Sequence, residues 1–318
     1  MSLIIKRQAY FGIRMMSMKP KILDITTKVL RSDDPIKFSD EKYISHPLFP
    51  HPVFTDKQCE TIAVEHRIPK TFLDKIAFNS IQLIRRTFDF WTGYSEDDRV
   101  TMFRSKKMTE LKWLTRVIFL ESIAGVPGMV GAFLRHLHSL RLLRRDKAWI
   151  ETLLDEAYNE RMHLLTFIKI GKPSWFTRFF IFMGQGVFTN IFFFLYLANP
   201  RICHRIVGYL EEEAVRTYTH LITELKQNKL PGFNSMKIPT IAWEYWTELT
   251  PQSSFLDLVE RIRADEAKHR EVNHTFANLK TGDRNPFALR IEGLDKPQPG
   301  DGLVEYKGTG WERKDLDL

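Results

Sequence analysis

The chain has 318 residues, 43% of them hydrophobic and 24 of them Phe, enough apolar material for a large core, which excludes a chain disordered throughout. Lys and Arg outnumber Asp and Glu by 47 to 39, a formal net charge of +8, yet no zinc finger, phosphate-binding loop or basic-aromatic module accompanies the excess, so no nucleic acid is expected as a partner. Two cysteines, Cys59 and Cys203, build neither a disulfide framework nor a thiolate-rich site, so any metal must be held by His, Asp or Glu.

Residues 1–23 carry Lys6, Arg7, Arg14, Lys19 and Lys21, contain no acidic residue and intersperse the charges with Ile, Leu, Met, Tyr and Phe. That composition is expected of a mitochondrial presequence; Arg14 interrupts the apolar run a secretory signal needs. Residues 24–70, punctuated by Pro35, Pro47, Pro50, Pro52 and Pro69, read as an extended arm with little regular structure.

From 71 to 280 the pattern is helical almost throughout. Breakers divide it into helices over about 71–94, 109–143, 148–170, 175–198, 200–227 and 253–279. Pro200 suits the first turn of its helix, where a missing N–H costs nothing. Ser253 or Ser254 suits an N-cap. Residues 281–318, rich in Gly, Pro and charge, read as an irregular tail.

The chemistry begins with a spacing. With 21 Glu and 10 His in the chain, Glu three residues before His is expected by chance about 0.7 times over its whole length. It occurs three times, at Glu160/His163, Glu266/His269 and Glu271/His274. Residues i and i+3 share a helix face, so such a pair can reach one ion. At about 100° per residue, Glu266 and His269 fall on the apolar stripe of Phe255, Val259, Ile262 and Phe276, whereas Glu271 and His274 lie about 180° and 120° away and read as a solvated or rim pair. Glu160 and His163 share a stripe with Leu153, Ala157, Leu164 and Phe167. Glu211 lies in line with Val207, Val215 and Tyr218, while Glu212 and Glu213 rotate away. Glu121 lies in line with Leu114, Val117, Gly125 and Gly128.

One Glu from each of two helices and Glu-x-x-His from each of two others is the ligand set of ferritin-like di-iron or di-manganese carboxylate bundles. Four buried carboxylates without a cation would repel one another and cost several kcal/mol each. The expected fold is therefore all-α, a ferritin-like four-helix bundle with two additional membrane-associated helices, and oxygen and imidazole donors favour iron or manganese over copper(I) or structural zinc.

The blocks RVIFLESIAGVPGMV (116–130), NERMHL (159–164), YLEEEAVRTYTHL (209–221) and RADEAKHREVNH (263–274) resemble, in order, the four signature regions of the mitochondrial alternative oxidases, a resemblance that extends over about residues 70–280. It implies a cyanide-insensitive oxidase of the respiratory chain that takes ubiquinol and O2 as substrates and forms water at two non-haem iron ions without pumping protons. By the same resemblance Glu121, Glu160, His163, Glu211, Glu266 and His269 are the iron ligands, and Tyr218 is the near-metal tyrosine that supplies an electron or radical. Arg116, Leu120, Glu213, Ala214 and Thr217 match quinol-pocket positions, and Asn159, Tyr196, His204 and Asp265 match positions that orient the ligands. Ser122 stands where the family motif has threonine and keeps the hydroxyl. The plant-type regulatory cysteines have no counterpart, which makes thiol regulation doubtful.

Phe179 to Pro200 is an uncharged run of 22 residues, long enough to span a bilayer. Glu160/His163 before it and Glu211 after it must nevertheless reach one site. We therefore expect helices 71–94 and 175–198 to lie in one leaflet of the inner-membrane lipid, with a basic rim from Arg178, Arg201, Arg205 and the cluster Arg141, Arg144, Arg145 and Lys147. The resemblance further implies a matrix-facing monotopic homodimer. A di-iron quinone-ring hydroxylase and a plastoquinol oxidase share the ligand pattern; the glutamate run 211–213 with Tyr218 disfavours the first, and the mitochondrial-type leader disfavours the second. An iron-storage bundle is disfavoured by Phe-rich segments unsuited to a soluble shell.

Overall fold

A computed structural model describes residues 49–96 and 107–316. The expected presequence at 1–23 and the arm as far as residue 48 lie outside them. Among the described residues the regular structure is helical: α1 (Asp56–Glu60), α2 (Phe72–Thr92), α3 (Glu110–Leu142), α4 (Trp149–Ile170), α5 (Trp175–Ala198), α6 (Pro200–Lys226), α7 (Pro231–Asn234), α8 (Thr240–Tyr245), α9 (Phe255–Asn278) and a 3-10 turn at Arg313–Asp315, with no strand.

Local chemistry fixes where the long helices start. Thr71 and Ser254 close capping boxes with Asp74 and Asp257, and Ser174 and Asn199 accept from the first-turn N–H groups of Thr177 and Ile202. Helix α4 begins at Ala148 without a cap of its own, and Asp146 supplies one by accepting from the Ile150 N–H at 2.7 Å. Gly93, at φ 68°, ends α2 in the left-handed region that glycine adopts without strain.

Helices α3, α4, α6 and α9 form the bundle, with α3 packed along α4 and α6 along α9. Trp113, Val117, Leu221, Leu225, Val259 and Ile262 share its principal apolar core. The α3–α4 crossing is close because Gly128 has no side chain: a Cβ there would lie 2.4 Å from the Leu153 carbonyl oxygen and 3.1 Å from the Ala157 Cβ. Gly128→Ala is expected to force the helices apart and destabilise the fold by about 1–3 kcal/mol. Thermal melting checks this, and an unchanged Tm would show that the crossing tolerates a methyl group.

Helix α2 lies against α6, and α5 against α3 and α6. The two outer helices meet over one residue, for Phe88 of α2 stacks on Phe119 at 5.0 Å and Gly184 of α5 abuts the same ring. Their outer faces are apolar and open: Leu83, Ile84, Phe90 and Trp91 on α2, and Phe176, Phe180, Val187, Ile191 and Phe194 on α5, are exposed. So many large apolar side chains exposed on two neighbouring helices exceed what a water-facing surface usually carries. Helices α3 and α5 are both long and apolar enough to cross a membrane, but α3 is mostly buried in the protein and α5 is not.

Two sequence expectations fail here, for one physical reason. Glu271 and His274 are not a solvated pair; both are fully buried. The irregular tail lies over them: the Lys307 N–H (2.8 Å) and the Trp311 indole (2.7 Å) donate to Glu271, and His274 Nε2 meets Glu212 at 2.8 Å. Arg205 is likewise buried rather than on a rim, donating to Asp74 at 2.8 Å. Helical phase finds the face turned from the bundle axis, but it carries no information about the arm and tail that cover that face.

Candidate metal centre

Four helices each turn donors inward. Helix α3 contributes Glu121, α4 Glu160 and His163, α6 Glu211, and α9 Glu266 and His269, every one at least 94% buried. Donor atoms of Glu121, Glu160, His163 and Glu266 lie within 4.8 Å of one another, and so do those of Glu160, Glu211, Glu266 and His269. The two groups overlap at Glu160 and Glu266, carboxylates from different helices. Burial, and after it the neighbouring carboxylates, push Glu121 and Glu211 well above the ordinary range. Burial opposes ionisation of Glu160 as well, but His163 and His269 outweigh it and hold that carboxyl low.

Whether these residues fit metal can be judged from their unmet valences. Glu121 Oε2, both oxygens of Glu160, His163 Nδ1, Glu266 Oε2 and His269 Nδ1 are buried and lack a well-aligned hydrogen bond, although they sit close together, His269 Nδ1 lying 2.7 Å from Glu160 Oε1. Orphaned buried donor atoms crowded together are costly unless cations satisfy them. The donor set, oxygen and imidazole without thiolate, suits a hard or borderline divalent metal.

The surroundings orient the donors. Asp265 accepts from the Trp246 indole (2.9 Å) and Asn159 Nδ2 (3.3 Å), and meets His51 at 2.7 Å and His163 Nε2 at 3.0 Å. Burial would raise Asp265, but His51 and His163 outweigh it and hold the carboxyl well below the usual range. An ionised Asp265 keeps a proton on His163 Nε2 and leaves Nδ1 facing Glu121 (3.3 Å), Glu160 (3.5 Å) and Glu266 (3.3 Å). Trp246 also stacks on the His163 ring at 5.7 Å. Tyr218 is buried and donates to Glu121; burial first, then Glu121, raises its phenol well above the ordinary value, so it remains a neutral donor.

Tyr196 and His204 stand further back. Tyr196 Oη meets His204 Nε2 (3.1 Å), His204 Nδ1 meets Asn273 Oδ1 (3.0 Å), and Asn273 donates to Glu156 (2.9 Å) and the His269 carbonyl (3.1 Å). Burial lowers His204 to about 4 and raises Glu156 to about 7. At the α2 side, Arg116 pairs with Asp89 at 2.7 Å and lies over the Tyr94 ring at 3.8 Å. Glu213 accepts from Arg85 and from Gln82 at 2.5 Å, and the Thr217 hydroxyl donates to the Glu213 carbonyl at 2.7 Å. Leu120 and Ala214 are half-buried nearby in sequence. Both thiols are buried, Cys203 raised to about 12 and Cys59 to about 11 by burial, which leaves neither reactive.

Several of these residues escaped the sequence reading. Glu156 could have been found from its i, i+4 spacing to Glu160, and Gln82, Arg85 and Asp89 from a polar row on an otherwise apolar helix. His51, Tyr245 and Trp246 sit in irregular segments without periodicity, and no local signal marks them.

The family model described as alternative oxidase matches residues 54–278. Similar proteins include the mitochondrial alternative oxidase of Scheffersomyces stipitis, 63% identical over 94% of this chain and 86% of its own. The mitochondrial alternative oxidase 2 of Candida albicans is 63% identical over 93% of this chain and 83% of its own. The mitochondrial alternative oxidase of Aspergillus niger is 52% identical over 84% and 76%.

Proposed function

The chain belongs to the alternative oxidase family, and from that membership we propose that it oxidises ubiquinol and reduces O2 to water at two iron ions held by Glu121, Glu160, His163, Glu211, Glu266 and His269. The electrons balance as two quinols, each giving two electrons and two protons, for one O2 and two water molecules. The observation that carries the reading is the overlap of two buried donor groups at Glu160 and Glu266, since two carboxylates common to both groups are what a paired-metal site requires. When bound, such a metal pair supplies the redox capacity that links two-electron quinols to four-electron O2.

The chain's own residues do the rest. Asp265 holds the His163 tautomer, and Trp246 and Asn159 hold Asp265. Tyr218 presents a phenolic hydrogen beside Glu121. We assign the quinol to the α2 side, beside Arg116, Leu120, Glu213, Ala214 and Thr217, where the Arg116–Asp89 and Arg85–Glu213 pairs supply polar groups next to an apolar helix face. Asp265→Asn, nearly isosteric but uncharged, is expected to lower affinity for Fe(II) or Mn(II) by about 10- to 100-fold in competition titrations; unchanged affinity would mean that His163 needs no anionic partner.

The membrane reading follows from connectivity. His163 lies about 10 Å of helix before α4 ends, and Glu211 about 17 Å of helix after α6 begins, whereas α5 between them is about 36 Å long. The site therefore lies roughly 10–19 Å along α5 from its start, and a spanning α5 would carry the charged cluster into the hydrocarbon of the bilayer at great cost. We propose that α2 and α5 lie in one leaflet on the matrix side of the mitochondrial inner membrane and admit quinol sideways, so that no charge crosses the bilayer. The exposed row Met129, Phe133, His136 and Leu140 on α3 supports a homodimer.

Elemental analysis of purified protein tests the metal assignment: about two irons per chain are expected, and substantially fewer than one overturns it. Labels introduced at both ends of α5 should react from one side only of sealed mitoplasts, and labelling from opposite sides would contradict the monotopic reading.

A further inference from the structure

A second site is suggested by a cavity of about 450 Å³ away from the metal donors, where the starts of α2 and α6 meet the end of α9. Four cations line it, Arg67, Lys70, Arg201 and Arg205, against two carboxylates, Asp74 and Glu312. The carboxylates are already committed. Asp74 accepts from Arg205 at 2.8 Å and caps α2, and Glu312 accepts from Arg67 at 2.6 Å and Lys70 at 2.8 Å. The positive charge is not matched: the Arg201 guanidinium donates from Nε to the Ala277 carbonyl at 3.3 Å and meets no carboxylate among the described residues. Arg67 is 95% buried, and its Nε has no partner. Thr71 and Asn199, the N-caps of two helices of 21 and 27 residues, also face the cavity, so two positive helix ends converge there.

The rim is apolar in a particular direction. Phe72 and Leu73 line the opening and are exposed, and Ile76 one turn on and Leu197 near the end of α5 are exposed too. A cationic cavity bordered by apolar side chains on the helices assigned to the leaflet matches a ligand with an anionic head and a hydrocarbon tail. A small soluble anion would use the charges and leave the rim unused.

We propose that this cavity binds the phosphodiester head of an anionic phospholipid, with Lys70 and Arg201 at its mouth, Arg67 and Arg205 behind, and the acyl chains passing over Phe72 and Leu73. The proposal rests on the monotopic reading for its orientation. Lipid capture at this point would fix the depth and tilt of α2 and α5 against the leaflet, a positional role separate from quinol oxidation.

The test uses full-length protein in nonionic detergent, titrated with phosphatidylglycerol or phosphatidylcholine and followed by native mass spectrometry. Retention of one phosphatidylglycerol per chain in preference to phosphatidylcholine is expected. Lys70→Gln with Arg201→Gln, two exposed positions that do not threaten folding, should weaken that retention by about 25-fold, roughly five-fold for each charge removed. Arg144→Gln with Arg145→Gln makes the same change in net charge outside the cavity and should leave retention unaltered. Equal retention in the two double variants, no preference over phosphatidylcholine, or displacement of the lipid by millimolar inorganic phosphate would each overturn the proposal. Flotation of wild-type protein with neutral vesicles reports separately on leaflet contact, so failure of the orientation is told apart from failure of the lipid site.

Discussion

Glu160→Ala is expected to abolish ubiquinol-dependent O2 uptake, by at least about 10³-fold, and to leave purified protein with almost no iron. The size of the effect follows from the position of this side chain. Glu160 belongs to both donor groups, is 1% exposed and faces only His163 and His269, themselves members of the cluster, with its two oxygens. Removing a donor that serves one group alone, such as Glu211, should lose less metal than removing one that serves both. Glu160→Gln provides the control for folding because it keeps the volume and removes the charge; it should bind iron poorly yet unfold near the wild-type temperature. The metal-free variant is expected to stay folded because it has lost one of four crowded carboxylates, which lessens the repulsion that opposes folding without a cation. Iron retained at wild-type level in Glu160→Ala would separate the donor cluster from the metal.

Tyr218→Phe is expected to lower turnover by about 10²-fold or more while iron content stays near that of the wild type. The two magnitudes that bear on Tyr218 differ enough to decide its role. If the phenol only completes the hydrogen bonding of Glu121, its loss should cost about 0.5–1.5 kcal/mol, little more than a ten-fold effect. If it delivers a proton or an electron to the reacting oxygen, the loss is far larger. The residue is buried, is held neutral and donates directly to Glu121, so Phe fills the same space and removes only the hydroxyl. A fall in turnover smaller than ten-fold with iron intact would assign Tyr218 to the support of Glu121.

The helical architecture was legible because its signals are local. Periodicity marks the six long helices, and Pro200 and Ser254 punctuate them through backbone rules that hold in any fold. Convergence of Glu121, Glu160, His163, Glu211, Glu266 and His269 was legible for a related reason: a buried stripe interrupted by a carboxylate must face the bundle axis, and four helices share that axis. Burial of Glu271, His274 and Arg205 was not legible. Helix α9 is enclosed all round, by the bundle on one side and by the arm and tail on the other, and the contacts responsible join segments far apart in the chain, as between Lys307 and Glu271 or Arg67 and Glu212. The support of Asp265 by His51 and Trp246 escaped for the same reason. Polar residues in loops carry no phase, and their place in the site is fixed only when the chain has folded.

The central claim, four-electron reduction of O2 by ubiquinol at a paired-metal site, is tested most directly by counting both reactants. Membranes carrying this protein, supplied with ubiquinol in the presence of cyanide, should consume O2 at a ratio of two quinols oxidised per O2 and release no hydrogen peroxide. The absence of cyanide-insensitive uptake, or a ratio of one quinol per O2 with peroxide accumulating, would contradict the account.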